Sequence, residues 1–221
     1  MNLLAIDTST EMVSIAVMLK GRIVFDFNRC ENYGASRLVV YLKDIFDKLS
    51  LKAKVFDAFV VGAGPGSFTG LRLSFAVIKA FSMAVNKPVI STGSFLSCAW
   101  QVKDKFRRLA VVSDARRGRI YAAAFKTGGD KVRREKKEAL YTPLDFISKH
   151  KDYTFITCDR RLRDVLFAQE DAVDFYRKDI WPKARALLSL AGEEYKKGRF
   201  TPMDKLQPLY IYPDDCQVKA I

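Results

Sequence analysis

A glycine-rich segment constrains the fold of this chain more than any other stretch. The sequence VVGAGPGSFTGLRLS begins at Val60 and reads as the end of a strand, a glycine turn and the start of an amphipathic helix. Gly62, Gly64 and Gly66 let the backbone adopt positive φ values and approach a ligand or another chain segment closely. The segment therefore predicts a strand that leads directly into a helix.

The start of that predicted helix is a candidate ligand site. Ser67 and Thr69 are N-cap residue types, and the N–H groups at a helix start suit an anion or the polar groups of a partner. The loop lacks the lysine of a P-loop and the spacing of a dinucleotide fingerprint. The spacing specifies a helix-initiating turn, which either binds nothing or forms a phosphate loop with Gly64, Gly66 and Ser67.

The opening of the chain predicts three strands. Residues 3–7 form an apolar strand that ends in Asp7, and residues 13–19 and 22–28 form a hairpin. This order opens the actin-like ATPase, or ribonuclease H-like, α/β fold. In catalytic proteins of that fold the first strand's acidic residue and the turn after it face phosphate or metal, which makes Asp7 and Thr8 candidates for such a site. Asp7 equally suits a hydrogen-bonding cap for the turn.

Two predicted helices, at residues 35–49 and 69–85, carry apolar side chains over a wider arc than packing on one sheet requires. Excess apolar width indicates a protein partner, since a monomer rarely leaves such an area in water. It equally fits two helices enclosed within the domain. The pattern favours a division into residues 1–105, which contain both helices, and a mixed second half, residues 106–221.

The charge of the chain points to acidic partners. Its 221 residues include 38 Lys and Arg against 25 Asp and Glu, a formal net charge of +13. Positive potential steers a protein toward nucleic acid or an acidic protein surface. The cations form local clusters at residues 107–108, 116–119, 131–137 and 160–163, without the aromatic interleaving of RNA-reading motifs. The run at 131–137 also suits a solvated strand edge.

Cysteine and histidine content argues against a metal centre. Four cysteines, at positions 30, 98, 158 and 216, form no CxxC pair, so we expect buried free thiols in a reducing compartment. The single histidine, His150, lies between lysines and is expected to be solvated. No window approaches the length of a membrane span, and no leader pattern follows Met1. We therefore expect a cytoplasmic protein that binds no membrane.

Three motifs carry a resemblance to a known family. LAIDTST near the N-terminus, GAGPGSFTGLRLS in the glycine loop and DARRGRIYAA in the second half together resemble the TsaB (YeaZ) family. The resemblance implies the actin-like ATPase superfold with two subdomains, whose mixed sheets are flanked by helices. It also implies a non-catalytic partner of TsaD in forming N6-threonylcarbamoyladenosine at position 37 of ANN-decoding tRNAs.

The resemblance further implies that the metal-binding HxxxH element of TsaD is absent here. Its two ligand positions fall on Ser94 and Cys98. A lone thiol does not replace two imidazoles as a metal site. We therefore expect no metal, no catalytic residue and no cofactor bound by this chain alone. The sequence leaves open whether ADP or ATP binds at the partner interface.

A scaffold is the mechanism that the family implies. TsaB pairs with a TsaD-like catalytic subunit through helices of its N-terminal half, a TsaE-like ATPase joins the pair, and TsaB alone forms a homodimer through the same surface. The basic surface is expected to contact tRNA within the complex. The expected interface residues, with Arg72 as a polar anchor, are Leu38, Val39, Leu42, Arg72, Leu73, Val77 and Phe81.

The sequence leaves two functions open as alternatives to the scaffold. The first is an autonomous nucleotide-binding ATPase that surrounds phosphates with Asp7, Thr8 and the glycine loop, and that uses Asp114 as a second carboxylate. The second is a general RNA-binding module, supported by charge alone. Its RNA affinity would fall steeply with added salt, because phosphate contacts release counterions.

Overall fold

The computed structural model describes residues 1–30, 34–169 and 174–211. Its strands are β1 (Leu3–Asp7), β2 (Met12–Leu19), β3 (Arg22–Cys30), β4 (Ala58–Gly62), β5 (Val89–Thr92), β6 (Arg108–Asp114), β7 (Ile120–Gly128), β8 (Lys131–Tyr141) and β9 (Thr154–Ile156). Its helices are α1 (Leu38–Lys48), α2 (Phe68–Val85), α3 (Ser94–Gln101), α4 (Pro143–Ser148), α5 (Arg160–Gln169) and α6 (Ala184–Lys196).

The chain forms two compact units that differ from the expected division. The first unit comprises Met1–Gln101 and Trp181–Pro208, and the second comprises Val102–Ile180 with the described residues after Pro208. The first boundary lies close to residue 105. The second half of the chain is divided between the two units, however, because residues 181–208, which include α6, pack with the first unit.

The first unit is built on a five-stranded sheet in the order β3-β2-β1-β4-β5. Strands β1, β2 and β3 pair antiparallel, whereas β4 pairs parallel with β1 and β5 parallel with β4. An antiparallel meander followed by parallel strands is the ribonuclease H-like arrangement, so the expected α/β fold class is confirmed.

Helices cover both faces of this sheet. Helices α1 and α2 pack on one face, where the core includes Leu4, Ile6, Phe59, Phe75 and Ile78. Helix α6 packs on the other face through Leu187, Leu188 and Ala191. Because both faces are covered, every residue of β1 and β4 is buried.

Helix α2 corrects the expectation that no segment reaches the length of a membrane span. Its 18 residues, Phe68–Val85, are long and apolar enough to cross a membrane by length and composition. Some of its apolar side chains are buried, since Leu71, Phe75 and Ile78 face the core. Other apolar side chains lie on the opposite side of the helix.

The second unit has a four-stranded sheet in the order β8-β7-β6-β9. Strands β6, β7 and β8 pair antiparallel and β9 is parallel to β6, which repeats the first four strands of the other sheet. Small residues of β7 make room for the rings of Phe146 and Phe155 in the core of this unit. Helix α4 begins with Thr142 as its N-cap and Pro143 in its first turn, a combination typical of a helix start.

His150 corrects another expectation. It is buried and not solvated, with its Nδ1 atom 2.8 Å from the Phe146 carbonyl oxygen. Its ring stacks on Phe146 and meets Tyr153 edge-on, at centroid distances of 4.2 and 5.1 Å. The lysines on either side are solvated while His150 packs inward, so the histidine is a core residue of the second unit.

The cysteines are more varied than expected. Cys98 is buried, Cys158 is half-buried and Cys30 is exposed at the end of an edge strand, and all three are free thiols. Cys216 lies outside the described residues. The expectation of buried thiols is therefore wrong for Cys30.

Candidate functional site

The glycine loop connects β4 to α2 as the sequence predicts. Ser67 is the N-cap of α2, and its side-chain oxygen accepts a hydrogen bond from the Gly70 N–H at 3.2 Å. The Gly64–Pro65 peptide bond is cis. The serine hydroxyl thus satisfies one of the N–H groups that a helix start leaves unpaired.

The loop packs directly against the turn that follows β1. The Ser67 N–H donates to the Ser9 carbonyl at 2.7 Å, and the Thr8 hydroxyl donates to the Gly70 carbonyl at 2.6 Å. A Cβ atom at Gly66 would lie 1.9 Å from the Ser9 carbonyl oxygen, and one at Gly70 would lie 2.0 Å from the Thr8 carbonyl oxygen. The glycines are required because the protein's own backbone comes this close.

Asp7 lies at the centre of the same cluster. One carboxylate oxygen accepts from the N–H and hydroxyl of Ser9, at 2.9 and 2.6 Å, and the other accepts from the Ser94 hydroxyl at 2.7 Å. Burial raises the pKa of Asp7 above its usual value, although the hydrogen bonds from Ser9 and Ser94 oppose this shift. Gly62 leaves room for the carboxylate, since a Cβ there would lie 2.0 Å from it.

The structure therefore brings together all five residues of the expected phosphate loop, Asp7, Thr8, Gly64, Gly66 and Ser67. Their polar groups are engaged with one another and with α3: the Gly64 N–H donates to the Ser94 hydroxyl at 3.0 Å, and the Ser94 N–H donates to the Gly64 carbonyl at 3.0 Å. The hydrogen bonds of Asp7 are those expected of a cap for the turn after β1. The cluster joins β1, the glycine loop and α3 into one rigid connection.

The other residues of the ATPase and metal alternatives are hydrogen-bonded or buried within their own units. Asp114 belongs to the second unit, where its carboxylate accepts from the Arg116 N–H at 2.8 Å. In α3, Ser94 hydrogen-bonds to Asp7 and Cys98 is buried. Among residues 1–30, 34–169 and 174–211, no three His, Cys, Asp or Glu side chains form a group that could hold a metal ion.

Helices α1 and α2 carry the expected interface residues, and the structure corrects two of them. Leu38 and Leu42 are 1% and 3% exposed, because they face the sheet and complete its core. They are not available to a partner. Val39, by contrast, points outward and is 64% exposed.

The seam between α1 and α2 is aromatic. Phe81 stacks on Phe46 of α1 and on Phe59 of β4, with ring centroids 5.6 Å apart in both pairs. Val77 lies one turn earlier on the same side of α2 and also packs against the core. Phe81 and Val77 therefore hold the two helices together, while Leu73, a further turn away, is half-exposed at the rim.

The outer face of α2 is mainly apolar, with the cations Arg72 and half-exposed Lys79 on it. Its exposed residues include Ala76, Ala80 and Ala84, with Met83 75% exposed at the C-terminal end. Arg72, whose guanidinium lies 3.8 Å from the centroid of the Phe68 ring, is at the N-terminal end of this face. We call Val39, Val40, Leu73, Ala76, Ala80 and Met83 the α1/α2 outer face.

Sequence reasoning missed the alanines and Met83 of this face. Alanine is the commonest helix former and carries little hydrophobic signal, so bulkier neighbours dominate any search for a contact surface. A helical projection would have found them, because Arg72, Ala76 and Met83 are four and seven residues apart and share one side of the helix.

Comparison with known proteins identifies the family. The model of the TsaD family, described as tRNA N6-adenosine threonylcarbamoyltransferase, matches residues 31–171, and the chain belongs to this family. Several of its relatives are named TsaB proteins. TsaB of Escherichia coli, named a tRNA threonylcarbamoyladenosine biosynthesis protein, is 24% identical over 96% of this chain and 94% of its own length.

Solved structures agree with this assignment. YeaZ from Pseudomonas aeruginosa is 26% identical with a TM-score of 0.81, and the match covers 95% of this chain and 99% of YeaZ. A second Pseudomonas aeruginosa structure, described as an uncharacterized protein with similarity to peptidase YEAZ, has a TM-score of 0.80 at 25% identity. The chain is thus a member of the TsaB (YeaZ) branch, as the three sequence motifs indicated.

Proposed function

We propose that this chain is a non-catalytic subunit in the formation of N6-threonylcarbamoyladenosine on tRNA, and that it binds a TsaD-like catalytic subunit through the α1/α2 outer face. The names of its TsaB relatives support the pathway. In this proposal a TsaE-like ATPase joins the pair in the cytoplasm, and basic clusters of the second unit contact the tRNA.

The single observation that carries the proposal is the exposed apolar side of α2. The polar residues on this side of the helix are Thr69 and Arg72, which are exposed, and Lys79, which is half-exposed. Val39 of α1 lies two turns before Phe46 on the side that faces α2, so its exposed methyl groups extend the same surface. A contiguous apolar surface of this kind marks a site of protein association.

The glycine-loop cluster supports the non-catalytic part of the proposal. The autonomous ATPase needs the loop and the Asp7 carboxylate to face phosphates. Here Asp7 and Thr8 are buried and bonded to Ser9, Ser94 and Gly70. A phosphate would have to displace several internal hydrogen bonds before it reached them.

The test is co-purification with the TsaD-like protein of the same organism, followed by size-exclusion chromatography with light scattering. The double variant Val39→Asp/Met83→Asp places two charges on exposed positions of the α1/α2 outer face. Leu144→Asp is the matched control, because Leu144 is also an exposed apolar helix residue, 56% exposed, but lies in the second unit. We expect a heterodimer for the wild type and the control, and its loss in the double variant.

The same variants examined alone separate self-association from partner binding. A wild-type homodimer that the double variant dissociates would show that one face serves both assemblies. Retention of the heterodimer by a folded double variant would contradict the proposed interface. ATP hydrolysis by the isolated chain that is lost in Asp7→Ala would contradict the non-catalytic role.

A further inference from the structure

The turn between β6 and β7, in the second unit, combines three arginines with an unusual backbone. We call residues 116–119, which read RRGR, the arginine turn. All four residues are exposed. The Arg119 N–H donates to the Arg116 carbonyl at 3.0 Å, so Arg117 and Gly118 are the central residues of a tight turn. This turn presents three guanidinium side chains at one end of the second sheet.

The backbone of the arginine turn is unfavourable for arginine. Arg116, Arg117 and Gly118 have φ values of 68°, 53° and 68°. Glycine and asparagine adopt this left-handed region readily, whereas other side chains crowd the following carbonyl oxygen. The β2–β3 hairpin has a similar turn, with Lys20 at 52° before Gly21 at 77°, so one such residue is ordinary in a hairpin. Two in succession cost stability, which indicates that the arginine side chains serve a purpose outside the fold.

Hydrogen bonds hold the backbone of the turn but leave most of its charge unpaired. The Arg116 N–H donates to the Asp114 carboxylate at 2.8 Å, and the Ala115 N–H donates to the Arg119 carbonyl at 3.0 Å. The Arg116 guanidinium lies 3.5 Å from the Asp114 carboxylate and is 89% exposed. In the described part of the chain, no carboxylate forms an ion pair with Arg117 or Arg119. The turn therefore offers free cations to an anionic ligand.

The other basic clusters of the second unit have explanations within the fold. Arg160 and Arg163 both pair with Asp179, at 2.8 and 2.9 Å, and Arg108 is also ion-paired. The cations at 131–137 lie on the edge strand β8, where charge prevents association between sheets. The arginine turn connects β6 and β7, which are the two central strands of the sheet. Protection of an edge therefore does not explain its charge.

We infer that the arginine turn binds the phosphate backbone of RNA. Guanidinium groups form paired hydrogen bonds with phosphate oxygens, and such contacts orient a protein on a nucleic acid without reading its sequence. An acidic protein is the other polyanion that the charge would suit. Protein interfaces have an apolar or aromatic centre, however, and residues 116–119 expose no apolar side chain. The inference rests on the proposed function, in which the RNA is the tRNA that the complex modifies.

The test is fluorescence anisotropy of a labelled, unmodified tRNA transcript titrated with the full chain at salt concentrations of about 50–200 mM. Arg117→Asn removes one cation, and Arg116→Asn/Arg117→Asn removes two. Each lost phosphate contact should reduce the slope of log affinity against log salt concentration by about 1. The double variant should bind at least about tenfold more weakly at the lowest salt concentration. The urea midpoint of both variants should rise, because asparagine adopts positive φ more readily than arginine.

Lys20→Asn is the matched control. Lys20 is exposed, precedes a glycine in a hairpin turn and lies in the first unit. Its replacement should also raise the urea midpoint but leave the salt slope of tRNA binding unchanged. Higher stability with weaker tRNA binding in the arginine variants alone supports the inference.

Three results would overturn it. An equal loss of affinity in Lys20→Asn would show that tRNA binding depends only on net charge. No tRNA binding by the wild-type chain would exclude an RNA contact. Competition by polyglutamate as strong as that by unlabelled tRNA would assign the turn to an acidic protein, and competition by inorganic phosphate at matched ionic strength would assign it to a free phosphate.

The tRNA titration and the heterodimer test fail separately, because the titration uses this chain alone. Loss of the heterodimer in the wild type, with a salt slope that falls in Arg116→Asn/Arg117→Asn, would contradict the proposed partner and support the RNA contact. A normal heterodimer whose chain shows the same salt slope with and without the two arginines would overturn the RNA contact only.

Discussion

Helix α2 presents two regions of opposite character, the glycine loop at its N-terminus and the apolar face along its outer side. At the loop, backbone and side-chain polar groups bond to the Thr8–Ser9 turn and to Ser94. At the outer face, Ala76, Ala80 and Met83 remain exposed. In the region that looks like a ligand site in the sequence, Thr8, Gly64 and Ser67 are hydrogen-bonded within the protein. The region with the weaker signal is the one that the first unit leaves exposed.

This difference shows how to separate a structural motif from an interaction surface. A glycine-rich turn at a helix start can receive phosphate or the protein's own backbone, and spacing does not distinguish the two. Two observations distinguish these cases. One is whether the N–H groups of the turn already donate hydrogen bonds within the protein. The other is whether protein atoms already occupy the space that a Cβ atom would take at each glycine. For an apolar helix face the corresponding question is whether another element covers it.

The largest expected effect tests the closed loop. Gly70→Ala would place a methyl group 2.0 Å from the Thr8 carbonyl oxygen, a backbone atom that cannot rotate away. We expect the free energy of unfolding to fall by about 3 kcal/mol, measured by urea denaturation. Gly192→Ala is the matched control, because this glycine also lies in a helix of the first unit and its Cβ would meet only the Met1 Cε atom at 3.4 Å.

The control should move in the opposite direction. Alanine is the better helix former, so Gly192→Ala is expected to raise the free energy of unfolding by about 0.5–1 kcal/mol. If Gly70→Ala were stabilising as well, the loop would not be packed against the turn, and the contrast between the two regions would disappear.

The next effect compares the inner and outer sides of α2. Phe81→Ala removes a ring that stacks on two others, at 5.6 Å from each, and is expected to lower the free energy of unfolding by about 2–3 kcal/mol. Met83→Ala removes an exposed side chain and is expected to change it by less than about 0.5 kcal/mol. Equal losses in denaturant titrations would mean that the outer face is covered within the folded chain.

A smaller effect is expected at the N-cap. Ser67→Ala removes the acceptor for the Gly70 N–H and should lower the free energy of unfolding by about 1 kcal/mol. Ser67→Asp restores an acceptor and adds a negative charge at a helix N-terminus, so its stability should match the wild type. Loss of stability in the aspartate variant would show that the hydroxyl serves something other than the cap.

The most subtle effect is a pH dependence at Asp7. Because burial raises its folded-state pKa, the folded chain keeps this proton at pH values where the unfolded chain has lost it. The contribution of Asp7 to stability is therefore greatest below its ordinary pKa of 3.8 and decreases as the pH rises through the raised value. Asp7→Asn should flatten this part of the profile in urea titrations from acid to neutral pH. If the slope of the free energy of unfolding against pH were unchanged in Asp7→Asn, a group other than Asp7 would cause the pH dependence.

The sequence predicted the secondary structure well, because the signals were local. Thr142 before Pro143, the glycine turns and the nearly continuous apolar run of β2 each depend on near neighbours. The order of strands followed from the resemblance and from the opening hairpin.

What the sequence could not predict depends on distant contacts. Leu38 and Val39 are adjacent apolar residues, and only the position of the sheet decides which one is buried. His150 lies between lysines, yet the Phe146 ring one helical turn earlier gives it an aromatic environment. The return of α6 to the first unit likewise depends on an apolar sheet face more than 160 residues earlier in the chain, as the Ala184–Ser14 hydrogen bond shows.

The discontinuity of the first unit affects how the chain is made. Leu3, Ala5 and Ala16 belong to the face of the first sheet that α6 covers, and α6 is synthesised after Val102–Ile180 of the second unit. On a ribosome this apolar face is complete long before its cover exists, so the emerging chain passes through a stage in which half of its central sheet is open to water and to chaperones. The sheet of the second unit, all of whose strands precede Ile180, is also synthesised before this cover.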